Sequence, residues 1–173
     1  MEHAEVPGSV REERLRGWIA QYSEAILKTC FLYLSDRSQA EDAMQDTFLK
    51  AWRHMAEYEK KHVENDKAWL LRIAVNTCRD YRRSAWFRHM DFRRAVEELP
   101  PRLEEIQPQD HTLALCVGQL PDKYRQVIAL YYWQELSIKD VAQVLGIPVS
   151  TAHHRLHKAE AILREIWLGG ENG

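Results

Sequence analysis

Cysteine is scarce in this chain, and so are the residues that break regular structure: 3 Cys, 7 Gly and 6 Pro among 173 residues. Cys30, Cys78 and Cys116 are odd in number, far apart and without a Cys-x-x-Cys pair. That excludes a disulfide framework and a zinc ribbon, and suits a reducing cytoplasm. The low Gly and Pro content excludes collagen-like and low-complexity architectures. No stretch approaches the ~18 consecutive apolar residues of a transmembrane helix, so no direct membrane insertion is expected. The N-terminal segment is studded with Glu and Arg and has no apolar h-region, which predicts no secretory signal. A Gly-rich phosphate loop, a nucleophile elbow and an HExxH motif are all missing, so the chain is not expected to be an enzyme.

What is present is a chain with 45% hydrophobic and 29% charged residues, too apolar for disorder. The net charge of −2 argues against a nucleic-acid binder until its distribution is read. Residues 1–66 carry net −4, residues 67–94 net +6, residues 95–111 net −4, and residues 112–173 balance. A basic block within an acidic protein is an electrostatic footprint that the overall charge conceals.

The apolar spacing is helical nearly throughout. Leu15, Trp18, Ile19, Tyr22, Ile26, Cys30 and Phe31 predict a helix over residues 10–34. Ser38-Gln39-Ala40-Glu41 reads as a capping box opening a second helix that runs to about Met55. Residues 57–66 read as a polar loop, with Asn65 or Asp66 capping a third helix over 67–84. Pro100, Pro101 and Pro108 interrupt an acidic stretch, which is read as a flexible linker over 95–111. Helices over 112–119, 122–133, 138–145 and 151–167 follow, the last two capped by Ser137 and Ser150. The expected fold is all-α: two small helical domains, 1–94 and 112–173, joined by the linker.

Residues 136–159 carry the strongest local pattern. A short helix burying Ile138, Val141, Ala142 and Leu145 meets Gly146, where positive φ is cheap; Ile147 plugs the joint and Pro148 stops the first helix. This is the layout of a DNA-binding helix-turn-helix, whose second helix enters the major groove. On that helix Ala152, Leu156, Ala159, Leu163 and Ile166 share one arc, and His153, His154, His157, Glu160 and Arg164 the opposite one. His153 and His157 have a zinc-compatible spacing, but no third ligand lies nearby in sequence, so no metal is expected. The third helix places Arg72, Asn76, Arg79, Asp80 and Arg83 on a narrow polar arc, with Trp69 near it. Arg and Asn beside an aromatic suit phosphate contact and base stacking.

On these stretches the chain resembles the small bacterial sigma factors of the extracytoplasmic-function (ECF) class. Residues 40–53 are similar to the helix that docks on core RNA polymerase, residues 68–83 to the helix that opens and reads the −10 element, and residues 120–159 to the domain that reads the −35 element. The resemblance implies a cytoplasmic transcription initiation factor without catalytic residues or cofactor. It implies core RNA polymerase, promoter DNA and an anti-sigma factor, membrane-bound or not, as partners. The positions matching polymerase contacts are Gln45, Asp46, Phe48, Leu49 and Trp52. Those matching the −10 interface are Tyr58, Lys60, Lys61 and His62 in the base-capturing loop, and Asn76, Arg79, Asp80 and Arg83 on the strand-reading face, which Trp69 and Arg72 adjoin. The −35 side takes Ser150, Thr151, His153, His154, Arg155, His157 and Lys158. One departure stands out: His153-His154 replaces a Lys-Ser pair common in the class, giving a recognition helix with less positive charge at neutral pH. A conventional dimeric helix-turn-helix regulator is the rival reading, but residues 40–83 offer neither a ligand pocket nor a dimer seam.

Overall fold

The computed structural model describes residues 8–83 and 115–170, and among them the chain is helical with no strand. The linker expected at 95–111 and the basic residues Arg88, Arg93 and Arg94 lie outside the described residues. Four helices form the N-terminal unit: α1 (Gly8–Leu34), α2 (Arg37–Arg53), α3 (Met55–Lys60) and α4 (Asp66–Arg82). After a short helical stretch at residues 115–118, within the helix expected over 112–119, the second unit contains α5 (Asp122–Ile128), a π-helical turn (Ala129–Trp133), α6 (Ile138–Leu145) and α7 (Val149–Gly170).

Local chemistry sets the boundaries. Asp36, not Ser38, caps α2, its carboxylate accepting the Gln39 N–H at 2.8 Å, so the helix starts before the expected capping box. Asn65 caps α4 as expected, accepting from the Ala68 N–H at 3.0 Å. The polar loop expected over 57–66 is shorter, because Met55 is buried and anchors the extra helix α3. Ser137 caps α6, and Gly146 ends it at φ 67°. Ser150 does not cap the last helix: α7 begins at Val149, with the Pro148 carbonyl accepting the Ala152 N–H. In the π-helical turn the Gln134 N–H reaches back five residues to the Ala129 carbonyl.

In the N-terminal unit α1, α2 and α4 pack on one another around Ile26, Leu34, Ala43, Ala51, Leu70, Leu71, Ala74 and Val75, all fully buried. Burying side chains of this size contributes about 1.5–3 kcal/mol apiece for the larger ones. All three cysteines are buried free thiols; burial and contact between Cys30 and Cys78 hold the Cys30 thiol well above its ordinary range, with the Cys78 hydrogen bond the larger cause. In the second unit α7 packs on α5 and α6 through Val127, Leu130, Val141, Val144, Leu156 and Ala159. The two cores are continuous, because α6 also packs against α4.

Candidate nucleic-acid interface

The α4 helix is built as the periodicity requires. Leu70, Leu71, Ala74, Val75, Thr77 and Cys78 face the core, while Arg72, Asn76, Asp80 and Arg83 are exposed. Arg79 is half-buried and donates to the Leu145 carbonyl at 3.2 Å. Asp80 tempers the stripe by pairing loosely with Lys50 at 3.9 Å and Arg83 at 3.8 Å. What remains open is a strip of guanidinium and amide donors along one helix face. Donors of this kind suit phosphate oxygens, and the Asn76 amide carries both a donor and an acceptor.

The two aromatics expected to face DNA are partly packed away. Trp69 and Tyr58 form a cluster with buried Trp18, with ring centroids 4.9–5.5 Å apart. Asp66 collects the polar atoms of that cluster, accepting from the Trp18 Nε1 at 3.1 Å and from the Tyr58 hydroxyl. Burial, and then the bond to Asp66, push the Tyr58 phenol up to about 12. Arg14 lies 5.4 Å over the Tyr58 ring, and with Arg11 it pairs to Glu59, tying α3 to α1. Trp69 is therefore a half-buried strut and Tyr58 a hydrogen-bonded one; a first-turn aromatic on α4 leans back over the preceding chain, a direction that a helical wheel does not record. Lys60, Lys61 and His62 stay exposed, with His62 at φ 46° turning the chain into the α4 cap.

On α2 the expected docking residues divide. Gln45, Leu49 and Trp52 are exposed, with Leu49 at 55% and Trp52 at 39%. Phe48 is buried and belongs to the core, which takes it off this surface. Asp46 is half-buried and accepts from the Tyr81 hydroxyl, linking α2 to α4 instead of standing free.

On α7 the buried arc comprises Ala152, Leu156 and Ala159, and His153, His154, His157 and Lys158 all project into solvent, as does Ser150. His153 and His157 stack with centroids 6.5 Å apart. Thr151 and Arg155 are half-buried at the edges. The ammoniums of Lys123 and Lys158 lie 5.0 and 5.9 Å from the Tyr124 ring. Burial raises the Tyr124 phenol, but those two ammoniums outweigh it and leave the group below its ordinary range. Among the described residues no cluster of three or more His, Cys, Asp or Glu side chains is placed to hold a metal ion.

The two helical units coincide with two described families. Sigma-70 region 2 matches residues 18–88 and Sigma-70 region 4 matches residues 111–163. Over 158 residues the chain is 30% identical to the ECF RNA polymerase sigma factor SigW of Bacillus subtilis, covering 83% of each. The chain belongs to the ECF sigma factors. The ECF sigma factor SigL of Mycobacterium tuberculosis is also 30% identical, over 167 residues that cover 93% of this chain and 94% of that one. As an ECF sigma factor the protein is a promoter-specificity factor of RNA polymerase. Solved structures share the fold: the sigma factor RpoE of Bartonella quintana, determined with the anti-sigma factor NepR, has a TM-score of 0.70 at 23% identity, covering 90% of this chain and 97% of that one. CnrH, determined with the cytosolic domain of CnrY, has a TM-score of 0.67 at 24% identity, covering 91% and 90%.

Sequence reasoning placed the α4 stripe and the α7 histidines on the surface. It missed the acceptors that meet α4 from the second unit: Asp122, Asp140 and the carbonyls of Gln134 and Leu145. Two of these acceptors are backbone carbonyls and two are ordinary Asp side chains, and position in sequence alone does not say what they touch.

Proposed function

We propose that residues 1–94 dock on core RNA polymerase and read the −10 element, and that residues 112–173 anchor the complex at the −35 element. The exposed Gln45, Leu49 and Trp52 on α2 supply the polymerase-facing edge, with an apolar pair beside a polar rim. Lys60, Lys61 and His62 guide the displaced strand, and Arg72, Asn76, Asp80 and Arg83, with Arg79 at the edge, form the strand-reading face. Tyr58 and Trp69 support that surface from behind. Binding the unpaired strand offsets the cost of melting, since each splayed base exchanges its lost stack for polar and aromatic contacts. Ser150, Thr151, His153, His154, Arg155, His157 and Lys158 meet the duplex in the major groove.

In this reading the protein has no reaction of its own, works in the cytoplasm, and takes an anti-sigma factor as its third partner. No helix among the described residues is long and apolar enough to cross a membrane. The observation that carries the reading is the open Arg72–Asn76–Arg83 stripe on α4, one helix away from the exposed Leu49 and Trp52, in a chain that also presents a free helix-turn-helix face. Run-off transcription with core polymerase on a genomic promoter library tests it. Leu49→Ala combined with Trp52→Ala should lower affinity for core about tenfold or more, the usual cost of losing exposed apolar anchors at an interface. Asn76→Ala should leave core binding intact and change which promoters open. Unchanged core affinity and an unchanged promoter set would sink the assignment.

A further inference from the structure

Over residues 149–161 the outer face of α7 exposes three imidazoles, His153, His154 and His157, and one permanent cation, Lys158. Arg155 and Glu160 are half-buried at its edges. Two cations against one carboxylate give this stretch a formal charge of +1, and three protons raise it to +4. Histidine is the side chain whose charge ordinarily changes between about pH 5 and 8. His153 and His157 stack one turn apart with centroids 6.5 Å from each other, and His154 stands one turn before Lys158. The surroundings do little to cancel the added charge. Glu160 Oε1 is held by the Tyr132 hydroxyl at 2.6 Å, which leaves Oε2 to face His157 Nδ1 at 3.9 Å. The bond to Glu160, and then burial, push the Tyr132 phenol up to about 12, so it stays neutral wherever histidine titrates. On α5, Lys123 shares the Tyr124 ring with Lys158, which brings a second cation towards this face. The carboxylates of the packed helices are engaged elsewhere: Asp122 on α5 pairs with Arg82 and Arg125, and Asp140 on α6 accepts from Asn65 at 3.1 Å. Lys139 on α6 is exposed and adds no negative charge.

We propose that the outer face of α7 is a proton-gated surface for double-stranded DNA, on which protonation of His153, His154 and His157 tightens the grip on phosphate. The proposal rests on α7 being the duplex-binding helix and adds to that reading a control by pH. An anionic phosphate beside an imidazole favours its charged form, so DNA binding and proton uptake reinforce each other. The stacked pair sharpens the dependence. Two adjacent cations repel each other in the free protein, and a phosphate lying against both removes that repulsion. Lys158 is charged at every pH in this range and gives the face a basal affinity on which the histidines build.

The test measures binding of the full chain to a mixed-sequence duplex DNA from about pH 8 to about pH 6 at fixed ionic strength, a range that spans the ordinary titration of histidine. The parent is compared with two triple variants. One carries His153→Gln, His154→Gln and His157→Gln, and the other His153→Lys, His154→Lys and His157→Lys. All three positions are exposed, so neither set should cost much stability. The parent should bind about tenfold or more tightly at the acid end, with a salt slope steeper by about one to three counterions. The Gln variant should lose most of that gain. The Lys variant should bind at the alkaline end as tightly as the parent does at the acid end. Parallel pH profiles for the parent and the Gln variant overturn the gating, as does a Lys variant no tighter than the parent at the alkaline end. Lys158→Ala separates that failure from a failure of the underlying reading, because it removes the permanent cation of the same face. If it weakens duplex binding while the two profiles stay parallel, α7 meets DNA and the gating alone falls. If it has no effect and the profiles are parallel, or if no protein binds the duplex at any pH, α7 is not the duplex-binding helix and the gating falls with that reading.

Discussion

Asp66 is the residue on which the N-terminal unit turns. It opens α4, accepts from Trp18 on α1 and from Tyr58 on α3, and so joins three helices through one carboxylate. The Tyr58 phenol, raised to about 12 by burial and then by Asp66, links this hub to pH. An unfolded tyrosine ionises near 10. A folded-state value above the unfolded one means that the stabilisation is fully present below about pH 10 and is lost as pH rises from about 10 towards 12. Tyr58→Phe should cost about 1 kcal/mol at neutral pH, the usual worth of such a hydrogen bond, and should flatten the loss of stability over that alkaline window. Urea unfolding midpoints at neutral pH and across the window measure both effects; an equally steep decline in the variant would show that the phenol is not linked. Neither Tyr58 nor Trp69 could be assigned to this cluster from spacing alone, because their partner Trp18 is about forty to fifty residues away in sequence. The exposed stripe of Arg72, Asn76 and Arg83 was legible, because a helical period and the type of side chain suffice to place it.

At the scale of single elements, local chemistry was readable where one residue had no rival. Gly146 has none: the chain leaves α6 at φ 67°, a left-handed conformation that strains an L side chain. A Cβ at this site would meet nothing within 4 Å, so the penalty for substitution is conformational and not steric. Gly146→Ala should therefore fold with the same structure and lose about 1–2 kcal/mol, with Gly146→Asn losing less. Thermal unfolding of the pair distinguishes this from a packing defect, which would not spare Asn. Where two capping residues lay close together, the spacing was ambiguous. Asp36 and Ser38 both suit an N-cap, and the structure uses Asp36 because α2 extends forward to meet the end of α1, where Ser35 turns the chain at φ 52°. The start of α7 differs from the expected Ser150 cap: the helix begins at Val149, and the carbonyl of the preceding Pro148 accepts the Ala152 N–H.

For the molecule as a whole, the uneven distribution of charge matters more than its sum. A net charge of −2 coexists with a basic α4, and affinity for nucleic acid follows the local field and the counterions it releases. Arg83 is exposed, and among the described residues it pairs loosely with the Asp80 carboxylate at 3.8 Å. Arg83→Ala should weaken single-stranded DNA binding without regard to sequence and reduce the salt slope by somewhat under about one counterion. Titrations over a range of salt concentrations read that slope directly, and a slope equal to the parent's would remove Arg83 from the phosphate-contacting set. The seam between the units was the least legible feature. Gln134 and Ala25 are 109 positions apart, and neither is conspicuous in type, so the contact exists only once both cores have formed.

The Trp18–Tyr58–Trp69 cluster also has an optical consequence. Trp18 is buried and Trp69 half-buried, 5.5 Å from it, whereas Trp52, Trp133 and Trp167 are exposed. DNA contains no indole, so any change in tryptophan emission on adding DNA comes from this chain alone. On the proposed reading of α4, a strand settling beside Lys60 and Lys61 would approach the half-buried indole of Trp69. Among the described residues, blue emission from the cluster and red emission from the exposed indoles thus form two colours of intrinsic signal, by which a change near Trp69 is separable from one elsewhere without any label.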